Sequence, residues 1–90
     1  MGDVLDQSFE LAVNVVSNLK KKPSDNELLD AYKYFKQAKY GDNNTIQPSM
    51  FNFKDTAKWK SWESVKGMDS NTAKQKYIDL SMKLFENYGS

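Results

Sequence analysis

The sequence predicts an all-α protein built as a four-helix bundle, and two observations carry that prediction. Apolar residues recur at intervals of three and four along four stretches, and no stretch shows the sustained alternation of a β-strand. Clusters of proline, glycine, serine and asparagine separate those stretches. Since the chain has 90 residues and a hydrophobic content of 39%, we expect one small domain spanning residues 1–90.

The first two helices are predicted from an apolar stripe and from a capping pattern. The first helix is expected from about residue 3 to residue 18, with a stripe formed by Leu5, Phe9, Ala12, Val16 and Leu19. Pro23 breaks the chain after it. Ser24 and Glu27 have the spacing of a capping box, in which each side chain bonds the backbone N–H of the other residue. The second helix should end at Gly41, because glycine can take the left-handed conformation that closes a helix.

The second half of the chain predicts a long loop and two further helices. The loop is expected from Asp42 to about Phe53, and loops of this length in small domains are often functional.

The third helix is expected over residues 55–65, with Trp59 and Trp62 as core residues. The fourth is expected over residues 69–88. Its main stripe is widened by three more apolar residues, so we expect it to contact more than one neighbour. The stripe comprises Ala73, Tyr77, Leu80, Leu84 and Tyr88, and the widening residues are Ile78, Met82 and Phe85.

Composition excludes several classes of function. The absence of histidine and cysteine removes the commonest general base, disulfides and zinc–thiolate sites. A net charge of +1, with lysines and acids mixed along the chain, argues against a nucleic-acid module. The run Lys20-Lys21-Lys22 is interpreted as a solvated helix end. No apolar run reaches the roughly 18 residues that span a bilayer, the N-terminus lacks a signal-peptide pattern, and a cytoplasmic location is expected.

Lysines and aromatic residues are concentrated in two segments, YKYFKQAKYG at residues 32–41 and AKWKSW at residues 57–62. Tyr32 and Lys36 are four residues apart and share a helix face, and Phe35 lies beside them. Aromatic rings can stack on a purine, and lysines can hold phosphate. The pattern therefore favours capture of a nucleotide-bearing ligand. The alternative reading is that the aromatic residues are core and the lysines are solvated surface.

Five motifs occur in a specific order: KPSDNELLDAY, FKQAKYGDNNT, QPSMFNFKDTAKWKSW, KGM and AKQKYI. In that order and spacing, the chain from Phe9 to Tyr88 resembles the acyl-CoA-binding protein family. The resemblance implies a four-helix bundle of up-down-down-up topology. It also implies non-catalytic binding, buffering and intracellular transport of long-chain fatty acyl-CoA esters, with no metal and no cofactor beyond that ligand.

The resemblance also implies roles for residues at the nucleotide end of the ligand. Tyr32, Lys36 and Lys58 match positions that gather around the ribose 3′-phosphate of CoA. Phe35 matches an aromatic position that stacks on adenine, although tyrosine is common there, so one hydroxyl donor is lost. Ser17 stands where a lysine is common, which removes that cation.

The remaining matched positions lie along the rest of the ligand. Lys54 matches a basic position near the CoA and the polar end of the acyl group. Tyr77 matches another tyrosine that contacts the ligand. Leu28 and Leu29 match apolar positions along the acyl groove. Ser49 follows Pro48 where the family usually has glycine, and we expect a small backbone adjustment there.

Alternatives to an acyl-CoA carrier remain open at this point. One is a helical protein-interaction or lipid-signalling module. A small acyl-CoA hydrolase or isomerase is disfavoured, because the chain has no histidine and no positioned nucleophile. The expected partners are fatty acyl-CoA esters, with no nucleic acid and no stable membrane insertion. Transient contact with membranes or acyl-CoA-using enzymes is open, and a monomer is expected.

Overall fold

The computed structural model describes residues 3–90 and is all-α over that range. Its helices are α1 (Val4–Ser17), α2 (Asp25–Tyr40), α3 (Phe53–Glu63) and α4 (Ser70–Tyr88). The predicted four helices are confirmed. Helix α3 begins two residues earlier than expected, because the Asn52 side chain caps it by accepting the backbone N–H of Asp55 at 3.3 Å. Within residues 3–90, no helix has both the length and the apolar character needed to cross a membrane.

Helix α4 lies at the centre of the bundle. It packs against both α1 and α2, while α3 packs against α2. The expectation that α4 contacts more than one neighbour is therefore confirmed. The expected contribution of Met82 and Phe85 to that packing is wrong, since these side chains are 62% and 57% exposed. Met82 and Phe85 line an open surface cavity beside Val15 of α1, whereas Ile78 does pack against the core.

The core joins α1, α2 and α4 through small residues and aromatic rings. Ala73 of α4 is fully buried, which lets the helix backbones approach closely. The rings of Phe9 and Tyr77 meet edge to face, with centroids 5.2 Å apart. Trp62 is buried as expected and its indole N–H donates to the carbonyl of Gly41 at 2.9 Å. Trp59, expected in the core as well, is only half-buried.

The predicted capping box at the start of α2 is present and has an additional role. Ser24 Oγ accepts the N–H of Glu27 at 3.2 Å, and Glu27 Oε1 accepts the N–H of Ser24 at 2.9 Å. The same carboxylate oxygen accepts the hydroxyl of Tyr88 at 2.6 Å. The hydroxyl of Tyr88, and then the backbone N–H of Ser24, hold the pKa of Glu27 below its ordinary value. The cap of α2 is thereby tied to the end of α4.

The turn after α2 is organised by a carboxylate. Gly41 has φ 76° and ψ −151°, which is outside the left-handed helical region but in a part of backbone space essentially restricted to glycine. Oδ1 of the next residue, Asp42, accepts the N–H of Gly67 at 2.7 Å and the side-chain amide of Gln37 at 2.8 Å. That amide also donates to the carbonyl of Met68 at 2.8 Å. One side chain thus joins the end of α2 to the turn that precedes α4.

We expect Asp42→Asn to make folding stability less sensitive to acid. The N–H of Gly67, and next the amide of Gln37, lower the pKa of Asp42 below its ordinary 3.8. Because this folded-state pKa is lowered, the carboxylate contributes stability that is present above the ordinary pKa and is lost as pH falls through the lowered one. Melting temperatures measured from about pH 7 to about pH 2 should show the gap between the two proteins narrowing at the acid end.

The control for this comparison is Glu86→Gln, which neutralises an exposed carboxylate on α4. This variant should follow the pH profile of the unmodified protein. A gap between Asp42→Asn and the unmodified protein that stays constant across the whole pH range would contradict the prediction.

Candidate functional site

A groove of about 390 Å³ lies between α2 and α3. Residues on one face of each helix form its walls, since positions four apart on a helix point the same way. The two helices are tied together where Ser61 Oγ donates to the carbonyl of Leu29 at 2.9 Å. Five of the eight predicted site residues line this groove: Leu28, Leu29, Tyr32, Lys54 and Lys58.

A second cavity, of about 220 Å³, adjoins the groove. Tyr32 and Lys58 line both, so they form the shared wall. Lys36, the sixth predicted residue, enters the second cavity together with Trp59 and Trp62. Lysines line both spaces: three lie along the groove, whose surface is mainly apolar, and two lie in the second cavity, which also holds the carboxylate of Asp55.

The cations at this shared wall lie against aromatic rings. Lys36 Nζ is 4.8 Å from the ring centre of Tyr40, 5.3 Å from that of Trp62 and 5.7 Å from that of Tyr32. Lys58 Nζ is 5.6 Å from the ring centre of Tyr32. Among residues 3–90, neither ammonium group takes part in a salt bridge. The two cations are thus free to pair with an anion and are positioned by the rings.

The electrostatic setting of Tyr32 fits a hydrogen-bond donor. Burial, and secondly the charge of Asp55, raise the pKa of the Tyr32 phenol above its ordinary value. The hydroxyl therefore stays protonated at neutral pH. A protonated phenol in the cavity that Lys36 and Lys58 also line adds a neutral donor to the charged ones.

The structure does not bring Phe35 and Tyr77 into this groove. Their rings pack with Phe9, at centroid distances of 6.0 Å for Phe9–Phe35 and 6.1 Å for Phe35–Tyr77. Phe35 follows Tyr32 by three residues and precedes Lys36 by one, so it lies about 100° around the helix axis from Lys36. The proposed stacking of Phe35 on adenine and the ligand contact of Tyr77 remain predictions.

Tyr77 is the more deeply placed of this pair. It is 4% exposed, and burial raises the pKa of its phenol to about 12. The hydroxyl is therefore a neutral donor at neutral pH. Phe35 retains partial exposure, and Lys39 Nζ lies 5.7 Å from its ring centre.

The sequence analysis missed several residues of the groove. Phe53 and Ala57 line it beside Lys54 and Lys58. Their spacing of four was the available signal, since it places the two side chains on one face of α3, and Ala57 also follows Lys54 by three positions. Lys22, interpreted from sequence as part of a solvated helix end, also lines the groove. No group of three carboxylates that could hold a metal ion occurs among residues 3–90.

These features define an all-α protein with a mainly apolar, lysine-edged groove that adjoins a second cavity lined by lysines and aromatic rings. Comparison with known proteins then identifies the family. Residues 6–81 match the family model described as "Acyl CoA binding protein". The Acyl-CoA-binding protein of Saccharomyces cerevisiae is 41% identical over 87 residues, which cover 97% of this chain and 100% of that protein. Acyl-CoA-binding protein homolog 1 of Caenorhabditis elegans is 42% identical over 83 residues, covering 92% and 96%.

Solved structures agree with the sequence comparison. The crystal structure of Oryza sativa Acyl-CoA-Binding Protein 2 matches with a TM-score of 0.87 at 32% identity, covering 92% of each chain. The chain belongs to the acyl-CoA-binding protein family. The predicted four-helix fold of that family is confirmed.

We expect Phe35→Ala to destabilise the fold, because the ring packs against Phe9 and Tyr77. The loss should be about 3 kcal/mol, the lower end of the range for a packed phenylalanine, since the ring is partly exposed. Urea unfolding measures it. The control is Phe85→Ala, which removes a ring that is 57% exposed and should change stability by less than about 0.5 kcal/mol. Equal effects of the two variants would contradict the packing role.

Proposed function

We propose that this protein binds long-chain fatty acyl-CoA esters without chemical conversion, and so buffers and carries them. The observation that carries the proposal is the shared wall of Tyr32 and Lys58, where a mainly apolar groove meets a cavity lined by two lysines and by aromatic rings. A ligand suited to both has a long apolar tail and a compact anionic head. The names of the relatives, which describe acyl-CoA-binding proteins, support the same ligand.

The cationic end is proposed to hold the ribose 3′-phosphate. Tyr32, Lys36 and Lys58 offer one phenol and two ammonium groups around the same space. Charge-assisted hydrogen bonds of this kind contribute about 1.5–3 kcal/mol each. Lys54, on the wall of the groove, is proposed to pair with the polar end of the acyl group or with the CoA.

The apolar end is proposed to hold the acyl chain. Leu28 and Leu29 from α2 face Phe53 and Ala57 from α3 across the groove. Each methylene group that leaves water contributes about 0.8 kcal/mol. A long chain would therefore dominate the affinity, while the phosphate contacts would select CoA esters over other lipids.

The adenine is proposed to lie across α2 onto its other face. Phe35 follows Tyr32 on that helix and keeps part of its ring exposed. Stacking of a base on such a ring contributes about 1–3 kcal/mol. Tyr77, behind Phe35, is proposed to contribute a ligand contact from α4. The wider proposal is a single domain that works as a monomer in the cytoplasm.

The function is tested by calorimetric titration with palmitoyl-CoA, free CoA and free palmitate side by side. We expect palmitoyl-CoA to bind at least about a hundredfold more tightly than either part, because both ends are needed to offset the cost of immobilising a flexible ligand. Equal affinity for palmitate alone would overturn the CoA assignment. Release of free thiol during incubation with palmitoyl-CoA would favour a hydrolase instead.

The phosphate site is tested by removing each cation in turn. Lys58→Ala and Lys36→Met should each weaken palmitoyl-CoA binding by about ten- to a hundredfold, since each removes one charge-assisted bond. Methionine is chosen at Lys36 because that side chain is partly buried rather than fully solvent-facing, so its packing should be kept.

The matched control is Lys83→Ala, which removes an exposed lysine of α4 that lines neither cavity and should leave affinity unchanged. The ester of dephospho-CoA, which lacks the 3′-phosphate, should bind the unmodified protein as weakly as palmitoyl-CoA binds the variants. If that ester binds as tightly as palmitoyl-CoA, the two lysines do not hold the 3′-phosphate.

A further inference from the structure

An open cavity of about 300 Å³ lies between α1 and α4, and apolar side chains line most of it. Val15 lines it from α1, and Met82 and Phe85 line it from α4. Leu11 precedes Val15 by one helical turn and therefore extends the same surface. Leu11, Met82 and Phe85 are 65%, 62% and 57% exposed. We call the surface formed by these four side chains the α1–α4 groove. Large apolar side chains that are exposed side by side mark a contact surface.

The two helices that form the α1–α4 groove run parallel to each other. Asp6 of α1 pairs with Lys74 of α4 near the starts of the two helices. Beyond the end of α1, the backbone N–H of Lys20 donates to the carbonyl of Tyr88 in the last turn of α4 at 2.9 Å. A cleft between two aligned helices has the shape that receives a third helix, because the side chains of one helix pack into the grooves of its neighbours.

The exposed apolar residues have the spacing of a helix-packing seam. On α1, Val4, Leu11 and Val15 are separated by seven and four positions. On α4, Met82 and Phe85 are separated by three. Separations of three, four and seven are those of the a and d positions along which helices pack in coiled coils. Both walls of the cleft therefore favour an occupant that is itself a helix with the same repeat.

The rim of the α1–α4 groove is acidic. Glu86 lines the groove. Asp79 precedes Glu86 by seven residues, so the two carboxylates lie on the same side of α4, about 10 Å apart along its axis. Among residues 3–90, neither carboxylate takes part in a salt bridge. The other wall adds no positive charge, since α1 contains no lysine or arginine.

The lysines of α4 do not neutralise this rim. Lys74 is already paired with Asp6. Lys76 and Lys83 follow Lys74 by two and nine residues, so they project about 200° and about 180° around the helix axis from it, away from α1. Lys20 lies beyond the end of α1, where its backbone bonds Tyr88. The negative charge of the rim is thus left for a partner to balance.

We propose that the α1–α4 groove docks an amphipathic helix of a partner protein. Its apolar residues, at separations of three and four, would fill the groove, and lysine or arginine residues along one flank would pair with Asp79 and Glu86. A second copy of this chain would bring the same two acids to the rim, and an anionic bilayer would repel them, so a basic helix is the better complement. Neither cavity of the candidate site takes a residue from α1 or α4, so docking leaves both cavities open.

The test uses two labelled synthetic peptides of about 21 residues, or three heptads, with leucine at the a and d positions. One peptide carries lysine at the flanking positions and the other carries glutamate. Fluorescence anisotropy should show the unmodified protein binding the lysine peptide at least about tenfold more tightly than the glutamate peptide, because only its charges complement the rim. Asp79→Lys combined with Glu86→Lys should reverse this preference.

The apolar contribution is tested by a pair of matched double variants. Met82→Ser combined with Phe85→Ser should weaken binding of the lysine peptide by about tenfold or more, since apolar area is lost from the groove. The control, Met50→Ser with Phe51→Ser, removes the same two residue types from exposed positions before α3. This control should bind the lysine peptide as the unmodified protein does.

Four outcomes would overturn the docking proposal. Two are equal binding of the two peptides by the unmodified protein and equal binding of the lysine peptide by the two double variants. The others are self-association in sedimentation velocity, or flotation with anionic vesicles, that the Met82/Phe85 variant abolishes. Titration with palmitoyl-CoA separates this surface from the ligand site, because the Met82/Phe85 variant should keep its affinity for palmitoyl-CoA. Peptide binding by an unmodified protein that does not bind palmitoyl-CoA would refute the proposed function and leave the docking intact.

Discussion

The hydrogen bonds of the Asp42 carboxylate fix the end of α2 against the turn that precedes α4. One oxygen joins the side chain of Gln37, near the end of α2, to the backbone of Gly67, in the turn before α4. The carbonyl of Gly41 accepts the indole of Trp62, which holds α3 against α2. The groove lies between α2 and α3, so the bonds of Trp62 to Gly41 and of Ser61 to Leu29 hold its two walls together, although Gly41 does not line it.

Helix α2 presents different chemistry on its two sides. Tyr32 and Lys36 face α3, where the cations are held among aromatic rings. Phe35 faces α1 and α4, where it packs with Phe9. The ligand proposed above would therefore have to cross α2 to use both sides. Substitutions at Phe35 are expected to change both folding stability and ligand affinity. Substitutions at Lys58, which is exposed, are expected to change ligand affinity alone.

The start of α3 joins apolar and basic groups within a few residues. Phe53 is 78% exposed and lines the groove, and Lys54 follows it directly. The preceding loop lines the second cavity through Thr45, Ile46 and Pro48. The loop therefore closes one end of the site. A shorter loop would leave that end of the second cavity without this wall.

The sequence alone was sufficient for the helices, the capping box at Ser24 and the turn at Gly41, because these depend on residues within a few positions of one another. Family resemblance placed Tyr32, Lys36 and Lys58 in one site, and the structure brings these three together. The exposure of Phe85 and the packing of Phe35 were decided only by the tertiary structure. An apolar stripe in the sequence shows that one face of a helix is apolar. Whether that face is buried depends on which helices lie beside it. The bonds of Asp42 span up to 25 residues, so no local pattern predicts them.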